Sequence, residues 1–149
     1  MSVVLSPGRP EDTPAYVTLR GLTRENAISA ERLAALGITA DGWAASMREG
    51  RLVGTAAHDA GTLMGYAFGD THTGEVVVLA LLPQAEGRGL GRALLAEVLR
   101  SLREAGHARA HLWASDDPGV RSHGFYRHLG WRPTGRRDGH GDEELELRI

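Results

Sequence analysis

One stretch constrains the fold of this chain more than any other: Val76-Val77-Val78-Leu79-Ala80-Leu81-Leu82-Pro83-Gln84-Ala85-Glu86-Gly87-Arg88-Gly89-Leu90-Gly91-Arg92-Ala93-Leu94-Leu95. It reads as an apolar strand, a glycine-rich turn and a helix. That order aims several backbone N–H groups at one place, the positive end of a helix dipole, where a phosphate or pyrophosphate binds. Gly87, Gly89 and Gly91 keep side chains away from an approaching anion. Arg88 and Arg92 can add charge-assisted hydrogen bonds. Taken alone, the turn is equally compatible with a flexible strand-to-helix connection.

The turn lacks the Gly-Lys-Ser/Thr ending of a nucleotide-triphosphate loop, so no residue is placed for Mg²⁺ and a γ-phosphate. It falls mid-chain, after three expected strands, whereas a dinucleotide fold would place it after its first strand. The 149 residues suit one domain spanning 1–149 with a real core. No apolar run approaches the ~20 residues of a membrane span, so no membrane partner is expected. Met1 to Pro7 reads as too short for a secretory leader and cysteine is absent, so the expected compartment is the cytoplasm. All 17 basic residues are arginine, a bias that suggests a GC-rich, bacterial genome. A net charge of −2 offers no basic footprint for nucleic acid.

The expected elements run as follows. Val3-Val4-Leu5 is a short strand, and Ala15 to Leu36 is helical with an interruption near Gly21. A short helix opens at Thr39-Ala40-Asp41, where Thr39 or Asp41 caps it. Arg51 to His58 and Thr62 to Gly69 form a hairpin around Asp59-Ala60-Gly61. Glu75 to Leu82, the most apolar strand, is expected to be central. A helix runs from Leu90 to about Gly106, and a strand from Ala108 to Ala114. A short helix follows and ends at Leu129-Gly130. Trp131 to Arg136 and Glu143 to Ile149 close the chain as a hairpin. The fold class is α/β (α+β), with a mixed, mostly antiparallel sheet flanked by helices.

A second segment, Ser122-His123-Gly124-Phe125-Tyr126-Arg127-His128-Leu129-Gly130-Trp131, settles what the turn alone leaves open. Together with Glu86-x-x-Gly89-x-Gly91, it resembles the GNAT family of acyl-CoA-dependent N-acetyltransferases. In that family a Gln/Arg-x-x-Gly-x-Gly/Ala turn holds the coenzyme A pyrophosphate, and a later Phe-Tyr-x-x-x-Gly-Phe/Trp segment carries a tyrosine near the thioester. The resemblance covers roughly Arg51 to the C-terminus. It implies acetyl-CoA as co-substrate and an amine of a small molecule or peptide as acceptor. It also implies splayed central strands and, as relatives are often dimers, a possible homodimer. A non-catalytic acyl-CoA-binding regulatory module is the alternative.

The resemblance implies Tyr126 as the acid that protonates the departing thiolate and Glu75, eleven residues before Glu86, as the base. Asp70 and His72 are alternative bases, as is water alone. It further implies that Leu79, Ala80, Leu81 and Leu82 cradle the pantetheine arm on a bulged strand. Gly87, Arg88, Gly89, Leu90, Gly91 and Arg92 would hold the pyrophosphate, with Tyr126 and Ser115 at the coenzyme from the facing side. Glu86 departs from the usual Gln or Arg. Its carboxylate opposes a pyrophosphate unless it points away or pairs with Arg88 or Arg92, while its N–H can still donate. Gly119, Val120 and Ser122 lie where relatives contact the coenzyme. The acceptor is expected among Arg20, Arg24, Glu25, Asn26, Glu31, Trp43 and Met47, and Glu11 is a further carboxylate that could attract a cationic amine. The seven histidines show no ligand spacing, so no metal is expected.

Overall fold

Residues 2–25 and 27–149 are described by a computed structural model. Four antiparallel strands form the first sheet in chain order: β1 (Val3–Pro7), β2 (Leu52–Asp59), β3 (Thr62–Asp70) and β4 (Val76–Leu81). The second sheet comprises β5 (Arg109–Ser115), β6 (Arg132–Arg137) and β7 (Asp142–Arg148), with β7 inserted antiparallel between the other two. The β2–β3 hairpin turns on Ala60 and Gly61, both at positive φ (50° and 84°), as a two-residue turn matched to strand twist requires. At the closing hairpin, Asp138 Oδ1 accepts from the N–H groups of His140 and Asp142 at 2.9 Å.

Helices cover both faces. On one lie α1 (Thr13–Arg20) and α3 (Ala40–Arg48). They enclose an aromatic cluster of Tyr16, Trp43, Tyr66 and Phe68, whose ring centroids are 5.0 to 5.8 Å apart. On the other lie α4 (Leu90–Glu104) and α5 (Arg121–His128). Leu94, Leu95, Val98 and Leu102 of α4 are buried there against Ala67, Val76 and Leu112. Neighbours Tyr66 and Ala67 belong to opposite cores, as the period of two in a strand dictates.

Two expectations need correction. The interruption expected near Gly21 is present but longer than a local break: α1 ends at Arg20, and α2 spans Ala30–Ala35. Between them Ile28 N–H donates to Arg20 C=O, closing a loop, and Ser29 Oγ starts α2 by accepting from Arg32 N–H. Thr39 Oγ1 caps α3 in the same manner, through Gly42 N–H. The most apolar strand, β4, is not the most buried, for β3 is buried almost throughout. β4 is the margin of the first sheet, and it meets β5 through a parallel bridge at Glu75 and His111. Beyond that bridge the strands part, and the apolar side chains of β4 line the gap.

Candidate active site

The gap between β4 and β5 opens into a cleft of about 1450 Å³. Its floor is Val76 to Leu81 on one side and Leu112 to Ser115 on the other. Val77 faces no partner on β3, because Phe68 pairs with Val78 and Gly69 with Val76. This bulge reverses the strand's alternation: Val76 packs with the α4 core, whereas Val78 packs with the aromatic cluster. A bulge re-aims backbone groups and increases local twist, here where β4 leaves β5. It lies at Val77, before the 79–82 stretch where the pantetheine cradle was expected.

The loop from Pro83 to Gly89 forms one end of the cleft. Gly87 and Gly89 adopt φ of 76° and 77°, a region costly for any residue with a Cβ. Gly89 is the N-cap of α4, and no side chain caps the helix. The first intrahelical bond runs from Ala93 N–H to Gly89 C=O, so the N–H groups of Leu90, Gly91 and Arg92 precede the ladder. Gly87, Gly89, Leu90, Gly91 and Arg92 all line the cleft. Packing does not require glycine at position 91, since a Cβ there would make ordinary contact with Leu81 and Phe125 at 3.5 Å.

α5 closes the facing side. Tyr126 lines the cleft and is 9% exposed, packed against Phe125 and Trp131 at ring separations of 5.1 and 5.8 Å. Burial pushes its phenol up to about 12, so it is protonated at neutral pH and can donate. Ser115 also lines the cleft, and its Oγ accepts from Asp117 N–H at 3.2 Å.

Several expected residues lie elsewhere. Leu82 is packed in the aromatic core, its N–H donates to Met64 C=O and its C=O accepts from Ala85 N–H, so its N–H is already engaged. Arg88 shares the turn but is not among the cleft-lining residues. Glu75, half-buried at the head of β4, is likewise outside the lining. Its carboxyl is raised above its ordinary value by burial and by the nearby Asp70 and Glu144. Asp70 is committed to its turn: Oδ1 accepts from the N–H groups of His72 and Thr73 at 2.8 and 3.2 Å, and Oδ2 from Arg51 Nε at 3.1 Å. Of the coenzyme-side candidates on the 119–122 turn, Ser122 lines the cleft and Gly119 and Val120 do not.

Of the residues expected at the acceptor, Arg20, Arg24, Glu25 and Trp43 reach the cleft, joined by Leu33, Ile38 and Thr39. Glu31 and Met47 do not reach it, Met47 packing against the aromatic core instead. Glu11 is paired with Arg9 at 3.0 Å. Asn26 is outside the described residues. Trp43 contributes an indole N–H that is buried without a partner.

Glu86 faces two arginines that the sequence did not link to it. Its Oε2 accepts from Arg24 Nε and from Arg121 Nη1, each at 2.9 Å, and its N–H is used by Pro83 C=O. Arg121 went unnoticed in the sequence, because it lies 35 residues from Glu86 with no local pattern linking them. Among the described residues, no group of three His, Cys, Asp or Glu could hold a metal ion, and no helix is long and apolar enough to cross a membrane.

Comparison with known proteins follows the same architecture. Residues 18–131 match the family model described as the acetyltransferase (GNAT) family. The chain is 38% identical over 104 residues to a mycothiol acetyltransferase of Acidothermus cellulolyticus, covering 64% of this chain and 31% of that protein. It is 42% identical over 65 residues to the mycothiol acetyltransferase of Beutenbergia cavernae, covering 44% and 22%. The matched segment is thus a third or less of these relatives' length. Among solved structures, the PaiA N-acetyltransferase of Thermoplasma acidophilum, in complex with coenzyme A, matches with a TM-score of 0.83 over 100% of both chains, at 18% identity. The ribosomal-protein-S18-alanine N-acetyltransferase of Escherichia coli matches with a TM-score of 0.72 over 99% and 94%, at 20% identity. With most of its length matched by the family model, and a fold shared throughout, the chain belongs to the GNAT family of acetyltransferases.

Proposed function

We propose that this protein is an acetyl-CoA-dependent N-acetyltransferase acting on a primary amine of a small molecule or peptide. One observation carries the reading: an uncapped helix N-terminus, a splayed strand pair and a buried phenol line a single cleft. The first suits a diphosphate. The second offers unpaired strand edges to an extended amide-bearing arm, since an extended ligand pairs with a free sheet edge. The third sits on α5, across from β4, where it can face a thioester.

The amine nitrogen attacks the thioester carbonyl, a C–N bond forms and the C–S bond breaks. Tyr126 donates its proton to the departing sulfur and is reprotonated by the second proton that the nitrogen loses as the amide forms. Glu75 takes the ammonium proton through water, its raised carboxyl pKa making it a better base than an exposed glutamate. Leu79, Ala80 and Leu81 run along the arm, while Gly87, Gly89, Leu90, Gly91 and Arg92 hold the diphosphate, with Arg88 adding charge from the same turn. Ser115 stands at the coenzyme from β5. A chain without cysteine suits a reducing compartment such as the cytosol.

The test is calorimetric titration of ligand-stripped protein with acetyl-CoA and with CoA, followed by a thiol-release screen of amines. Micromolar binding and release with at least one amine supports the enzyme. Binding with no release from any amine favours a non-catalytic acyl-CoA-binding module. Absence of binding overturns both.

A further inference from the structure

Glu86 sits at the start of the anion-binding turn, where charge alone makes a carboxylate an obstacle to a diphosphate. Yet its side chain is 14% exposed and its carboxylate faces the guanidinium groups of two arginine side chains that are 57% and 60% exposed. Arg24 comes from the α1–α2 loop and Arg121 from the first position of α5. The N–H of Arg121 also donates to Glu25 Oε1 and Oε2, at 3.2 and 3.3 Å. All four residues line the cleft. Three segments, 35 to 96 residues apart in the chain, thus converge at one end of it.

The bonds to Glu86 engage one N–H of each guanidinium, out of five. A guanidinium held along one edge by a carboxylate presents the rest of its planar fork, with the geometry that phosphate oxygens accept.

We infer that Glu86 is a positioning residue that holds Arg24 and Arg121 against the co-substrate's diphosphate. Through Arg24 and Glu25, the bound diphosphate then fixes the α1–α2 loop, which is a wall of the acceptor end. The inference rests on the acetyl-CoA reading above. It makes the acceptor wall depend on the coenzyme: the same two arginines tie the loop to the turn and grip the ligand.

The sign of one substitution separates positioning from simple repulsion. Glu86→Gln keeps the shape and removes the charge. If Glu86 only repels the diphosphate, this variant binds CoA more tightly. As a positioning residue, its loss weakens CoA binding about tenfold in calorimetry, and Arg24→Ala and Arg121→Ala each weaken it too. The Glu86→Gln/Arg24→Ala double variant then loses less than the product of the single losses, as coupled residues do. The Glu86→Gln loss persists with dephospho-CoA, which retains the diphosphate, and disappears with 4′-phosphopantetheine, which lacks it. A loss confined to ligands carrying the 3′-phosphate overturns the assignment. Amide hydrogen exchange of residues 21–25 and 27–29 slows on CoA saturation in the wild type and not in Arg24→Ala. Should Glu86→Gln fail to fold, the two exposed arginine variants carry the test. Wild-type protein that binds no CoA overturns the function proposed above. Wild-type binding with Glu86→Gln equal or tighter, and loop exchange unchanged, overturns this inference alone.

Discussion

Tyr126 is singled out by the resemblance of its Phe-Tyr-x-x-x-Gly-Trp segment to the family's, and the structure packs Phe125 and Trp131 on its ring, with Trp131 N–H donating to Tyr126 C=O. Tyr126→Phe keeps this packing and removes the donor. It should leave CoA affinity within about twofold and lower kcat by about 10²- to 10⁴-fold, the range for a lost general acid. The proposed base, Glu75, predicts a pH dependence. A base works ionised, and burial, Asp70 and Glu144 raise its carboxyl above the ordinary 4.5, so kcat/KM should climb as pH rises through that elevated value. Glu75→Gln should lower the rate and erase this acid limb, which a pH–rate profile reads directly. Asp70 has the opposite sign. Burial raises its carboxyl, but His72 N–H, the Arg51 guanidinium and Thr73 N–H outweigh that, leaving it below 3.8. A carboxylate lowered on folding adds stability that is present above its unfolded pKa and lost as pH falls through the folded one. Asp70→Asn should therefore cost about 1–3 kcal/mol at pH 7 and progressively less as pH falls below 3.8, measured by urea melts across that range.

At the level of elements, helix α4 was readable because its apolar residues recur at i, i+1, i+4 and i+8 and all four are buried. Leu102→Ala should cost about 2–5 kcal/mol, lowering Tm by roughly 2–4 °C for each kcal/mol. Gly89 caps α4 in the left-handed region, with open space around it. Gly89→Ala meets no clash but should cost about 1–2 kcal/mol of backbone strain, and it should weaken CoA binding with it. The loop between α1 and α2 was not readable. Gly21 marked the stop, but Thr23 and Ser29 act through side-chain bonds, to Glu25 C=O and from Arg32 N–H, that residue type alone does not reveal. Strand β4 misled for a different reason. Seven apolar residues in a row normally mean burial on both faces. Here part of that surface faces a cleft, with Val77 40% exposed, so the apolar surplus lines a cavity and not a core.

For the molecule as a whole, two sheets bridged at Glu75 and His111 and covered by helices on both faces enclose a space between β4 and β5. A ligand in that space contacts both sheets and should stabilise them together. CoA at a hundred times its Kd should add about 2.7 kcal/mol to unfolding, and so raise Tm by about 5–10 °C in a thermal melt. A smaller rise at that occupancy would mean that the ligand also binds the unfolded chain. What the sequence by itself determined were the parts set by near neighbours: strand and helix periods and the glycine-rich turn between them, while the tyrosine on its short helix was picked out by resemblance. The former follow from backbone sterics and side-chain spacing within a few residues. The tertiary structure alone decided which edge of β4 is left without a strand, where the bulge falls, and that Glu86 faces Arg24 and Arg121. Those depend on segments 35 to 96 residues apart meeting in space, and electrostatic pairing at such separations leaves no periodic trace in the chain.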